Sequence, residues 1–238
     1  MRPLSRPKRS PKNHPVAAFD VETLGSNRRF VCGTFRDAAG QRFTTDKATL
    51  QSWLIDEANS GSIIYATNLF YDFTATFGGF PAPCKALFAG ERLIRVHWPI
   101  PGKRVIRYYD TSNLTNKLSV ASLGQMVGLA KLETPSWLVD ADSSRLTPGD
   151  LSSARLAEVE AYNRLDAEIT YRWALRFQEV CRELGCEVKT TIASTAMDLF
   201  KRKYARKGLL MPPSWMNEYL REAYHGGLVF VFKRGLGS

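Results

Sequence analysis

Hydrophobic positions recur along the chain with two different periods, and the change of period separates strands from helices. Val16 to Val21 is a compact apolar run ending in acids, and Ser62 to Thr67 is another. Phe30 to Phe35 and Gln41 to Thr44 flank an Ala-Ala-Gly turn. Short runs of this kind bounded by turn residues predict sheet strands. Between them, Asp46 to Ala58 has helical spacing, with Leu50, Trp53 and Leu54 on one face and Asp46 placed as the N-cap. Arg92 to Trp98 and Arg104 to Tyr109, joined by Pro-Ile-Pro-Gly, predict a hairpin, and Val120 to Leu129 a short helix.

A Pro/Ser/Asp-rich loop is predicted from Thr134 to Gly149, followed by the longest helical pattern, Leu151 to Leu184. In that helix Leu156, Val159, Tyr162, Ile169, Trp173 and Phe177 recur at steps of three and four, and Gly185 ends it. A second, basic helix is predicted over Thr191 to Lys207. It leads through Leu-Leu-Met-Pro-Pro to another short helix and then to Tyr224-His225-Gly226-Gly227. Hairpin-linked strands followed by helices predict an α/β domain over residues 15–185, with a tail at 1–14 and the opening of a second unit at 186–238.

The 44% hydrophobic content is that of a globular chain. A net charge of +10 and a pI near 9.6 point to a polyanionic partner. Nucleic acid comes first because Lys and Arg that neutralise phosphates release counterions. Arg2, Arg6, Lys8, Arg9 and Lys12 sit in an acid-free, Pro-rich tail, which reads either as a disordered arm that touches nucleic acid or as a solvated extension. The tail lacks the apolar core of a signal peptide and no stretch of the chain is apolar enough to span a bilayer. The reading is an intracellular protein, not secreted, with no membrane partner. Cys32, Cys84, Cys181 and Cys186 match neither a disulfide framework nor a zinc site. His14, His97 and His225 are not at ligand spacing, so a bound metal would be a hard ion held by oxygen.

Carboxylates occur where they are costly. Strand alternation puts Ala18, Asp20 and Glu22 on one face, so two acids point the same way at the end of a buried run. A divalent cation resolves their repulsion, although an isolated Asp-x-Glu is more often a pair of surface acids. In the long helix Asp166 falls on the apolar stripe rather than among Arg164, Glu168 and Arg172. Tyr162 lies one turn earlier on the same face, where it is equally readable as core. Asn68 and Asp72 stand four apart beyond a strand end, readable also as a helix cap and a first-turn acid.

In order, Asp20-x-Glu22, Asn68-x-x-x-Asp72 and Tyr162-x-x-x-Asp166 resemble the three exonuclease motifs of the DEDD superfamily in its tyrosine-bearing branch. Thr23 after the glutamate and the Asn-Leu-x-x-Asp form of the second motif are similar to family B DNA polymerases, more specifically the protein-primed group. Asp110-Thr111-Ser112-Asn113-Leu114 is similar to that family's Asp-Ser-Leu segment, which contacts single-stranded DNA and the terminal protein. Tyr224-His225-Gly226-Gly227 is similar to its Tyr-x-Gly-Gly linker between exonuclease and polymerase domains. Departures accompany these matches. Lys131 stands where the family has a catalytic lysine in a Lys-x-x-hydrophobic motif, but the third following residue is Thr134. Thr67 replaces a common histidine, and none of the polymerase motifs follows within the 238 residues, so polymerisation by this chain alone is not expected.

The resemblance implies a ribonuclease H-like mixed sheet flanked by helices, followed by the start of a polymerase domain. It implies a 3′–5′ proofreading exonuclease whose two Mg²⁺ ions, with Mn²⁺ as the alternative, stabilise attacking and leaving oxygens from about 4 Å apart. Asp20 would bridge the ions, Glu22 and Asp166 would complete one site, and Asp72 would act on the second directly or through water. Tyr162 would orient the attacking water, and Lys131 would assist. Thr23, Asn68, Tyr71, Ser112 and Leu114 would grip DNA, and Tyr224, Gly226 and Gly227 would let backbone approach it. The implied partners are a single-stranded 3′ end or primer-template DNA and the terminal protein, bound by a monomer. The alternatives are a free-standing DEDD nuclease on DNA or RNA, or a silent nucleic-acid or terminal-protein binding module.

Overall fold

The computed structural model describes residues 2–3, 7, 9–25, 28–139, 146–205, 210–211, 213 and 215–216. Its first strand, β1 (Arg2–Pro3), pairs antiparallel with its last, β9 (Leu210–Met211). The main sheet has seven strands: β2 (Val16–Leu24), β3 (Arg29–Asp37), β4 (Gly40–Thr44), β5 (Ile63–Ala66), β6 (Lys85–Ala89), β7 (Arg92–Trp98) and β8 (Ile106–Asp110). They lie in the order β4-β3-β2-β5-β8-β7-β6. The centre, β2-β5-β8, is parallel, and both flanks are antiparallel, giving the expected mixed sheet.

Central β2 is buried on both faces, and its period-two alternation sorts the core into two layers. Ala17, Phe19 and Val21 pack with Phe35, Leu50, Leu54, Leu69 and Phe73, beneath helices α1 (Lys47–Leu54) and α2 (Leu69–Phe77). Val16 and Ala18 join Ile63, Tyr65, Leu123, Ile169 and Trp173 on the opposite face. That face is covered by α6 (Ser153–Glu183), with α4 (Val120–Val127) packed beside it and α3 (Ser112–Thr115) leading in from β8. A third cluster at the far end of β2 joins Leu24, Val31 and Cys32 to Leu151, Val159 and the buried Trp137 and Leu138 of α5 (Ser136–Val139).

Caps explain the helix limits. The Asp46 carboxylate accepts from the amides of Ala48 and Thr49, and Ser152 accepts from Arg155 N at the start of α6. At its end Cys186 N donates to Cys181 O (2.8 Å) and Gly185 N to Arg182 O (2.9 Å). Gly185 takes φ +74° in this Schellman arrangement, a conformation that disfavours a side chain. Strand β6 has no counterpart in the hydrophobic pattern because Lys-Ala-Leu-Phe-Ala lies mostly exposed on the sheet edge and does not alternate. Helix α5 lies in the segment predicted as loop, four residues being too few to show a period. The predicted basic helix is α7 (Ile192–Leu199) followed by a π-helical turn over Phe200–Tyr204; its end at Lys207 lies outside the described residues.

The segment read as a tail makes contacts where it is described. His14 N donates to Gln178 Oε1 (3.4 Å), and the His14 ring lies 3.1 Å from Gly61 O and 3.3 Å from Glu187 Oε1. Arg202 donates to Arg9 O, so residues 9–14 are held against the end of α6 and α7 rather than extended as a free arm. No helix among the described residues is long and apolar enough to cross a membrane.

Candidate active site

Strand β2 continues the α6-facing row from Ala18 through Asp20 to Glu22, as alternation requires, so both acids turn toward the helix. A bulge between Glu22 and Thr23 shifts the pairing with β3 there. Bulges end a regular pairing and re-aim side chains, and Thr23 meets the Tyr71 hydroxyl of α2 in a short hydrogen bond. From α6, Asp166 projects to the same place. One carboxylate oxygen from each of Asp20, Glu22 and Asp166 lies within 4.8 Å of the other two. Asp20 and Asp166 are 8% and 4% exposed and Glu22 is half-buried, so three carboxyls are gathered with little access to water.

Asp72, on α2, is buried as well, but it lies outside that close triad and not at a shared ligand position. Its charge still acts on the group: Asp72 raises the proton affinity of Asp20, and Glu22, Asp110 and Asp166 raise that of Asp72. All four carboxyls are pushed up, first by burial. For Asp20 and Glu22 mutual or neighbouring negative charge adds to it, with Glu22 reaching about 7.

Lys131 arrives from the segment after α4. Its ammonium forms an ion pair with Asp166 Oδ2 and donates to Tyr162 Oη at 2.7 Å. Burial works against this charge, but the hydrogen bonds to Asp166 and Tyr162 outweigh it and hold the lysine above its ordinary value. Burial likewise raises the Tyr162 phenol, so it stays protonated at neutral pH. Thr134, the residue that departs from the hydrophobic pattern, lies with its hydroxyl 3.1 Å from the same phenol oxygen.

Two further members of this constellation were given no role by the sequence. Asn163 is fully buried and donates from Nδ2 to Asp20 Oδ2 at 2.6 Å. Its spacing three before Asp166 is the only clue the sequence offers. Asp110 is the second: its Oδ2 accepts from Leu69 N (2.9 Å) and its Oδ1 from Ser112 N (2.8 Å), so it ties the start of α2 to the start of α3.

The remaining predicted contacts divide. Asn68 is exposed at the head of α2 in a left-handed conformation (φ +75°), with no side-chain cap bond, so its amide is free to meet a ligand. Asn68, Thr67, Phe70, Arg92, Ser112 and Lys117 line a groove of about 540 Å³ beside the site. Leu114 is 4% exposed and packs in the α6-side core. Tyr224, Gly226 and Gly227 lie outside the described residues.

A hard divalent cation fits this donor set. The carboxylate oxygens Asp72 Oδ2 and Asp166 Oδ1 are buried without a hydrogen-bond partner among the described residues, which is costly unless a cation or water meets them. The donors are all oxygen, as Mg²⁺ or Mn²⁺ prefers.

No protein-family model matches the sequence, and no curated protein matches it. Solved structures do. Phi29 DNA polymerase complexed with single-stranded DNA aligns at 15% identity with a TM-score of 0.63, over 90% of this chain and 40% of that one. The same polymerase complexed with primer-template DNA and incoming nucleotide aligns at 15% identity with a TM-score of 0.65, over 92% of this chain and 40% of that one. The chain therefore has the fold of part of phi29 DNA polymerase and spans about 40% of the length of the polymerase chains it matches.

Proposed function

We propose that this chain carries a metal-dependent 3′–5′ exonuclease acting on DNA 3′ ends, of the proofreading kind that belongs to protein-primed family B polymerases. The observation that carries the reading is the meeting of Asp20, Glu22 and Asp166 within 4.8 Å in a buried cleft whose phenol and ammonium are already in place. The fold shared with phi29 DNA polymerase supports it. Asp20, Glu22 and Asp166 would hold a divalent cation, with Asp72 acting on a second position from across the cleft. Such cations supply stabilisation of the negative charge that gathers on attacking and leaving oxygens during phosphodiester hydrolysis.

The protein's own groups have separate tasks. Tyr162 is protonated and therefore no strong base; its hydroxyl orients the attacking water by hydrogen bonding, and Lys131 and Thr134 fix that hydroxyl. Lys131 adds one positive charge against a phosphate that brings negative charge into a dry site. Thr23 and Tyr71, already joined to each other, and Asn68 at the head of α2 grip the terminal nucleotides by hydrogen bonding and ring stacking, with Ser112 further along the groove. A frayed 3′ end enters such a cleft more readily than a paired one.

The test is digestion of 5′-labelled single-stranded DNA with and without Mg²⁺. A 3′–5′ ladder is expected with the metal, absent without it, and absent in Asp20→Ala plus Glu22→Ala. A ladder that survives in the double variant removes the assignment.

A further inference from the structure

We propose that Asn163 is a positioning residue for the carboxylate cluster, fixing the Asp20 carboxylate in the orientation with which Asp20 and Glu22 take a divalent cation. The inference rests on the reading of the cluster as a metal site, and it concerns a residue that touches no substrate.

The contact joins residues 143 apart, from helix α6 across to strand β2, at 2.6 Å. Asn163 is fully buried, and Asp20 8% exposed, so water does not compete for either group. A cation bound by Asp20 would keep its carboxylate ionised, and hydrogen bonds to an ionised acceptor are about twice as strong as neutral ones and correspondingly directional. Asn163 and Asp166 are one turn apart on α6, so the same stretch of helix supplies one ligand of the cluster and the hydrogen bond that holds another.

Packing does not account for an asparagine here. Its Oδ1 is buried with no hydrogen-bond partner among the described residues, a penalty that leucine, with the same number of side-chain heavy atoms, would avoid. The residue thus costs stability at a position where it gives Asp20 a donor. The choice of donor is informative as well. Lys131 grips Asp166 with a full positive charge, which competes with a cation for that carboxylate. Asn163 holds Asp20 with a neutral amide, so the carboxylate is oriented while its negative charge stays available. Groups that orient metal ligands in this way typically govern metal affinity by about 10–100-fold.

The experiment uses the full chain with Mn²⁺ and no DNA, following bound Mn²⁺ by electron paramagnetic resonance and the melting temperature with and without the ion. For Asn163→Leu we expect a metal-free melting temperature equal to or above that of the wild type and a Mn²⁺ midpoint raised about tenfold or more. Asn163→Gln, which keeps the donor, should recover part of the affinity. In an Asp20→Asn background the Asn163→Leu change should add nothing further. Asn163→Ala gives the same comparison if leucine is not accommodated. Wild-type Mn²⁺ binding in both Asn163→Leu and Asn163→Ala overturns the role of Asn163 while leaving the metal site standing. A wild-type chain that binds no Mn²⁺ overturns both.

Discussion

At Glu22, burial and the neighbouring Asp166 charge push the carboxyl from its ordinary 4.5 up to about 7. A carboxyl raised on folding binds protons more tightly in the native state, so its stabilising contribution is complete below about pH 4.5 and is lost as pH rises through about 7. The metal-free protein should therefore be less stable at pH 8 than at pH 5 on account of this residue. Glu22→Gln should raise its stability at pH 8 by on the order of 1–2 kcal/mol, about 2–8 °C in Tm for a chain of this size. It should also shrink the gain in Tm that Mg²⁺ gives the wild type. Thermal denaturation at the two pH values with and without Mg²⁺ decides this, and a lower metal-free Tm in the variant at pH 8 would contradict the account. The same opposition between folding and chemistry holds at Asp20, Asp72 and Asp166, which burial raises in the same direction.

Among elements, the placement of Lys131 depends on how α4 ends. Leu129 N donates to Gly124 O at 2.9 Å, turning the chain back so that Lys131, two residues on, reaches Tyr162 and Asp166. A Cβ at Gly124 would fall well inside contact distance of Leu129 O and lie 3.2 Å from Ile169 Cδ1 on α6. Neither neighbour yields easily, one being backbone and the other core. Gly124→Ala should cost about 1–3 kcal/mol and, by moving the turn, loosen Lys131 from the phenol. The measurements are urea unfolding and single-turnover cleavage of a labelled oligonucleotide; wild-type stability in the variant would show that the turn relaxes freely. Strand β6 makes a different point at this scale. It is an exposed edge strand carrying Lys85, whose partners rather than its composition make it a strand, which is why the hydrophobic pattern passes over it.

Across the whole molecule, the parallel core β2-β5-β8 and the long α6 on one face concentrate negative charge in one cleft of a chain whose net charge is +10. The acids suit cations, and the basic remainder suits a polyanion. Binding of a fluorescent single-stranded oligonucleotide, measured with Ca²⁺ in place of Mg²⁺, should weaken linearly with the logarithm of salt concentration, by about 0.7 log units per neutralised phosphate. Several contacts predict a slope steeper than about −2; an affinity indifferent to salt would show that the basic surface does not meet the backbone. Beyond the end of α6, Glu187 faces His14 and Lys189, and Asp198 pairs with Arg202. The His14–Glu187 pair and the Arg202 bond to Arg9 O tie residues 9–14 to the segment after α6.

What the residues alone determine is direction within an element. Alternation places Asp20 and Glu22 on one face of β2, and the helical period places Tyr162 and Asp166 one turn apart, because each follows from a backbone repeat of a few ångströms. The order of three motifs pointed to a shared site, and Lys131 could be named only through resemblance. The distances between elements were not written in any local repeat. That α6 crosses β2 so as to close the triad, that Asp72 stands outside it, that Asn163 holds Asp20 and Thr134 meets Tyr162, and that Leu114 turns into the core all depend on how many side chains pack at once. Tertiary packing sums contacts from the entire interior, and so it decides what a few residues in sequence cannot.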